Sequence, residues 1–209
     1  MDVENFNEEN YIKEEHKINV FWLNIFGFIV LAIAILLFGL PFYWIWPDEF
    51  NNLLNSIKNI QTIGLQERLI NTVIVFSIFL IFIVIHEFIH GIFFSVFSQY
   101  GFKSVKFGIM PAKKLFTPYC RPKEILKINH YKIAVIMPLL IMGIIPTLIS
   151  FFIGKMLLLV WGIILIVLGS GDLWLFIKTS ALKNNNWIFS PESKEMVGII
   201  YRPKENIQN

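Results

Sequence analysis

Four long apolar blocks constrain this chain more than any other feature. They cover residues 21–46, 69–97, 133–153 and 156–177, and each is hydrophobic all round rather than along one stripe. At a rise of about 1.5 Å per residue, roughly 20 such residues cross a hydrocarbon core of roughly 30 Å. Of the 209 residues, 56% are hydrophobic and only 16% charged, and the mean hydropathy is +0.62. A soluble domain of this size cannot hide that much apolar surface. The expected fold is therefore an all-α integral membrane protein of about four transmembrane helices, forming a single membrane domain over 1–209.

The segments between the blocks refine this picture. Met1 to Val20 is polar and mixed in charge, without a short apolar run and Ala-x-Ala site, so no removable signal peptide is expected. Block one ends in Phe42-Tyr43-Trp44-Ile45-Trp46, aromatics of the kind that settle at the headgroup level. Residues 47–67 read as a loop with a short surface helix. The loop 98–132 carries eight Lys and Arg against one acid, Glu124. Within it, Val105 to Ile109 and Leu115 to Thr117 suggest a small β-hairpin around a turn at Pro111. Pro138 and Pro146 should kink the third block, and Gly154-Lys155 makes a short turn into the fourth. The tail 178–209 is polar, with Trp187, Ile188 and Phe189 expected at the interface. Four spans put both termini and the basic loop on one side, which then holds fifteen of the 18 Lys and Arg. By the positive-inside rule that side is cytoplasmic. The same bias accounts for the net charge of +3 without a nucleic-acid partner. Cys120 stands alone, so no internal disulfide is possible, as suits a reducing compartment.

The second block contains His86-Glu87-Phe88-Ile89-His90. Histidines four residues apart project from one helix face, one turn apart, and can reach one tetrahedral zinc. Glu87 lies on the same edge, placed to take a proton from water that the metal acidifies. Two histidines and a glutamate cost several kcal/mol in a membrane helix unless something compensates them, and a metal does so effectively. The plainer alternative is a polar knot that joins helices by hydrogen bonds. Catalytic zinc usually takes three protein ligands. His16, His130, Cys120, Glu124 and Asp172 are the candidates for the third. Asp172 is preferred because it is the only acid in block four. It also matches His90 in depth: each is roughly 9–10 Å from its helix's cytoplasmic end at 1.5 Å per residue. Gly169 and Gly171 beside it would let a neighbouring helix approach. A carboxylate that merely caps a broken helix is the competing reading.

His86-Glu87-Phe88-Ile89-His90-Gly91, Val105-Lys106-Phe107-Gly108, Pro138 and Gly171-Asp172-Leu173, taken in order, resemble a bacterial family of zincin-type membrane metallopeptidases, over about Val73 to Tyr201. More distantly the arrangement is similar to site-2 intramembrane metalloproteases, although their aspartate sits in an Asn-Pro-Asp-Gly-like segment and here the context is Gly-Ser-Gly-Asp-Leu. The resemblance implies His86, His90 and Asp172 as zinc ligands and Glu87 as the catalytic base. It implies a protease class without naming a substrate; the expected setting is the bacterial cytoplasmic membrane, with the bilayer and a membrane protein or peptide substrate as partners. The alternative is a non-catalytic metal-binding membrane protein, a zinc sensor, transporter or scaffold, which would need the ligands but not Glu87.

Overall fold

A computed structural model of the chain describes residues 6–17, 19–60, 62–112, 115–191 and 197–204. Its elements, in chain order, are β1 (Tyr11–Lys17), α1 (Val20–Ile45), α2 (Pro47–Ile60), α3 (Leu65–Phe97), β2 (Val105–Ala112), β3 (Leu115–Pro122), β4 (Leu126–Lys127), α4 (Ile128–Ile153), α5 (Met156–Leu168), α6 (Ser170–Ser180), β5 (Trp187–Phe189) and β6 (Val197–Pro203). Helices α1, α3 and α4 are each long and apolar enough to cross a membrane. Helices α5 and α6 pass the same test together, bent by 51° at Gly169, which makes three candidate spans or four. The surface helix expected after block one is α2, with Asp48 and Glu49 in its first turn and Lys58 in its last, each charge matched to the helix dipole.

The chain is mostly helical, as expected, but beside the expected hairpin the described residues include a further sheet that the all-α expectation did not contain. Strands β1, β6, β5 and β4 form a four-stranded antiparallel sheet in that order. Tyr11 pairs with Pro203, Lys17 with Val197, and Leu126 with Ile188. Trp187 to Phe189, expected at the membrane interface, is thus a strand. The N-terminal polar segment earns its order from one apolar anchor: Phe6 packs on Tyr11 and Tyr201 beside Ile125 and Ile199. The Tyr201 hydroxyl donates to Glu8 at 2.8 Å, and burial together with that carboxylate pushes the phenol up to about 12. Glu14 and Arg202 pair across the sheet at 2.8 Å.

The second sheet is the expected hairpin, β2 with β3, but longer and with a different turn. Its register runs from Val105 opposite Pro122 to Ala112 opposite Leu115. The connection is therefore Lys113-Lys114, which lies outside the described residues, and Pro111 is a strand position opposite Phe116. A proline is tolerated there because each strand of a two-stranded sheet has an outer edge that needs no ladder bond.

The chain divides into two compact units. One comprises residues 24–86 and 138–171 and is built of helices. In it α4 and α5 pack through small residues: a Cβ on Gly162 would collide with Thr147, and one on Gly143 would come within 2.8 Å of Ile166. Gly154 ends α4 in the left-handed region at φ 63°, where glycine is unstrained. The Trp46 ring covers it and the indole N–H donates to the Phe151 carbonyl at 3.1 Å, satisfying one of the last acceptors of α4. The kink expected from the two prolines takes the form of a π-helical segment, Leu139–Ile144, lying between them.

The other unit comprises residues 1–23, 87–137 and 172–209 and contains both sheets. Its core gathers Phe94, Val105, Leu126, Ile128, Tyr131, Ala134, Val135, Ile188 and Ile200. Glu124 ties the exit of α3 to the hairpin. Buried at 2% exposure, it accepts the Gln99 N–H at 2.9 Å and the Ser104 hydroxyl. Burial alone would raise its carboxyl, but these bonds hold it below the ordinary 4.5. A lowered native pKa contributes stability above the unfolded value that is lost as pH falls through the folded one. Glu124→Gln should therefore cost about 1–3 kcal/mol at pH 7. In thermal unfolding, the gap between wild type and Glu124→Gln should narrow as pH drops below 4.5; a gap independent of pH would contradict this role.

Candidate metal centre

The hydrogen-bonding needs of a polar helix stretch build this site. His86, Glu87 and His90 fall on consecutive turns of α3, and both histidines are buried, each at 6% exposure. Gly91 follows directly, and the Phe107 ring of β2 fills the place where a Cβ would stand. The ring of Phe88 stacks on that of Phe102 at 6.3 Å. These two contacts seat the hairpin against α3 at the motif. A side chain at position 91 would force the Phe107 ring to move, so the glycine lets that ring lie directly on the helix.

Asp172 arrives from the other end of the unit. The chain breaks at Gly169, and Asp172 lies in the first turn of the new helix α6, where unpaired N–H groups favour a carboxylate. A Cβ at Gly169 would crowd Leu139 at 3.2 Å, as expected of a close approach, whereas Gly171 faces open space and has no such role. The break does more than cap a helix. It sets Asp172 Oδ1 3.4 Å from His90 Nε2. One donor atom from each of His86, His90 and Asp172 lies within 4.8 Å of the others, the one such group of three found among the described residues.

The other candidates for a third ligand are placed elsewhere. His130 stacks face to face on Phe97, centroids 4.5 Å apart. His16 is exposed on β1 beside Glu14 at 3.4 Å. Glu124 serves the hairpin, as described. Cys120 sits on β3 opposite Phe107; burial first, and then the charge of Glu87, push its thiol well above the usual range. Neutral and half-buried, Cys120 is neither a thiolate ligand nor a nucleophile. Sequence reasoning overlooked one partner, the Ala134 carbonyl, which accepts the Nδ1–H of His90 at 2.9 Å. Its signal was Pro138, a proline four residues later in the same helix.

The donor set fits zinc. Two imidazole nitrogens and one carboxylate oxygen, mostly buried and mutually close, are the three protein ligands that a catalytic zinc takes, with a fourth position left for water or substrate. The profile of a family described as "Putative zincin peptidase" matches residues 79–186, just over half of the chain and all of this site. The chain belongs to that family. The zincin description implies zinc and a metallopeptidase activity. No curated protein and no solved structure matches the chain.

The raised thiol makes a direct prediction. At pH 8 the folded protein should be alkylated at Cys120 by iodoacetamide on the order of 100-fold more slowly than the denatured chain, because its thiolate fraction is negligible. Equal rates would show a thiol with an ordinary pKa.

Proposed function

We propose that this protein is a zinc-dependent, membrane-embedded metallopeptidase that hydrolyses peptide bonds of membrane or membrane-proximal proteins. The observation that carries the reading is the convergence of His86, His90 and Asp172 on one point, with Glu87 on the same helix between the two histidines. In this reading His86 and His90 hold zinc through ring nitrogens and Asp172 through a carboxylate oxygen. When bound, the zinc supplies Lewis acidity that polarises the scissile carbonyl and lowers the pKa of water toward 7. Glu87 takes the proton from the attacking water on a carboxylate oxygen and passes it to the departing amide nitrogen. In this reading the protein would work as a site-2-like protease.

The fold also supports a reading of topology and substrate entry. Strands before α1, between α3 and α4, and after α6 share one sheet, so these three segments lie together. In this reading α1 with α3, and α4 with the bent pair α5–α6, each leave that surface and return to it, which favours four crossings over three. The Lys and Arg bias supports taking that surface as the cytoplasmic face of a bacterial membrane. A helical substrate must unwind to expose a peptide bond. The hairpin, seated on Gly91 through Phe107, offers an outer strand edge along which an extended segment can pair by main-chain hydrogen bonds.

Glu87→Gln keeps the ligands and removes the base. It should abolish cleavage of a membrane substrate, by at least about 10²-fold, while zinc stays bound at the wild-type ratio. Cleavage that survives the substitution would overturn the peptidase reading and leave a zinc sensor, transporter or scaffold.

A further inference from the structure

We propose that Pro138 is a positioning residue for the metal centre, acting through the Ala134 carbonyl on His90. The inference rests on the zinc reading above and concerns how one ligand is aimed.

In a regular helix the carbonyl of residue 134 accepts the N–H of residue 138. Residue 138 is a proline inside the helix, so that donor does not exist. A proline ring also crowds the carbonyl four residues before it and tilts it off the helix axis. The carbonyl released in this way belongs to Ala134, whose side chain is completely buried in the core. It lies 2.9 Å from His90 Nδ1. A carbonyl can only accept, so the Nδ1 atom must carry the proton.

Two consequences follow for His90. Its Nδ1 is committed to the carbonyl, so Nε2 is the ring nitrogen left to serve as a metal ligand. Its ring is also held in direction: Nε2 is the atom that lies 3.4 Å from Asp172 Oδ1, on the side where the three donors meet. The stack of the ring against Phe94, centroids 6.1 Å apart, limits rotation about the same axis. A second proline, Pro146, stands in the same helix eight residues on, just after the π-helical segment and outside the donor group. Pro146 therefore serves as the control, a proline of the same helix that has no part in the donor group.

The test compares Pro138→Ala with Pro146→Ala in the full-length, detergent-purified protein. Zinc affinity is read by competition with a chelator, and site geometry by the visible spectrum of the cobalt-substituted form. Pro138→Ala should weaken zinc binding about 10–100-fold, the usual effect of losing a ligand's supporting hydrogen bond, and shift the cobalt bands. Pro146→Ala should change neither. Wild-type affinity in Pro138→Ala, or equal losses in both variants, would overturn the inference and leave the zinc site standing. A wild type that binds no zinc would overturn the zinc reading and this inference with it. Should Pro138→Ala fail to fold, ring nitrogen shifts from ¹⁵N-histidine NMR of the zinc-loaded wild type decide instead. They should show His90 bound through Nε2 with Nδ1 protonated, and coordination through Nδ1 would contradict the inference.

Discussion

Buried polar groups on a long apolar helix need hydrogen-bonding partners, and the side chains around them on that helix offer few. In α3 that demand falls on His86, Glu87 and His90, and most of what is unusual about the chain answers it. Asp172 comes from a helix that breaks to deliver it. A backbone carbonyl comes from a helix whose own bond is interrupted by proline. Neither partner would be available from two unbroken helices. The irregularities at Gly169 and Pro138 are therefore the means by which the polar cluster is built.

Packing then holds those irregularities in place. Gly143 and Gly162 let α4 and α5 approach closely, and Gly91 lets the hairpin lie on α3 beside His90. Glu124 binds the chain just beyond α3 to the hairpin's far end. The four-stranded sheet joins strands that lie almost 200 residues apart, Tyr11 and Pro203 among them. The site is shaped by contacts of long sequence separation, and its residues sit on helices and strands rather than on free loops.

The same distinction explains what could be read in the sequence. Apolar blocks are a composition signal, so the helices and the short polar helix after Trp46 were legible without a structure. The motif was legible because its spacing is local, and Asp172 because a lone acid in an apolar block has few reasons to be there. The hairpin showed in its alternation, but its turn was misplaced to Pro111, since a proline reads as a turn signal even where an edge strand accepts it. The four-stranded sheet was not legible. Its strands include pieces of two and three residues, Leu126–Lys127 and Trp187–Phe189, that carry no period of their own. Charged Tyr11–Lys17 becomes a strand only because Val197–Pro203 is there to pair with it.

The central claim is that the buried histidines and aspartate form a zinc site. The most direct measurement is elemental analysis of the detergent-purified protein, wild type beside His86→Ala and Asp172→Ala. About one zinc per chain in the wild type, lost in both variants, is the result the account predicts. A metal-free wild type, or zinc retained in full by the Asp172→Ala variant, would contradict it and leave the cluster as a hydrogen-bonded contact between helices.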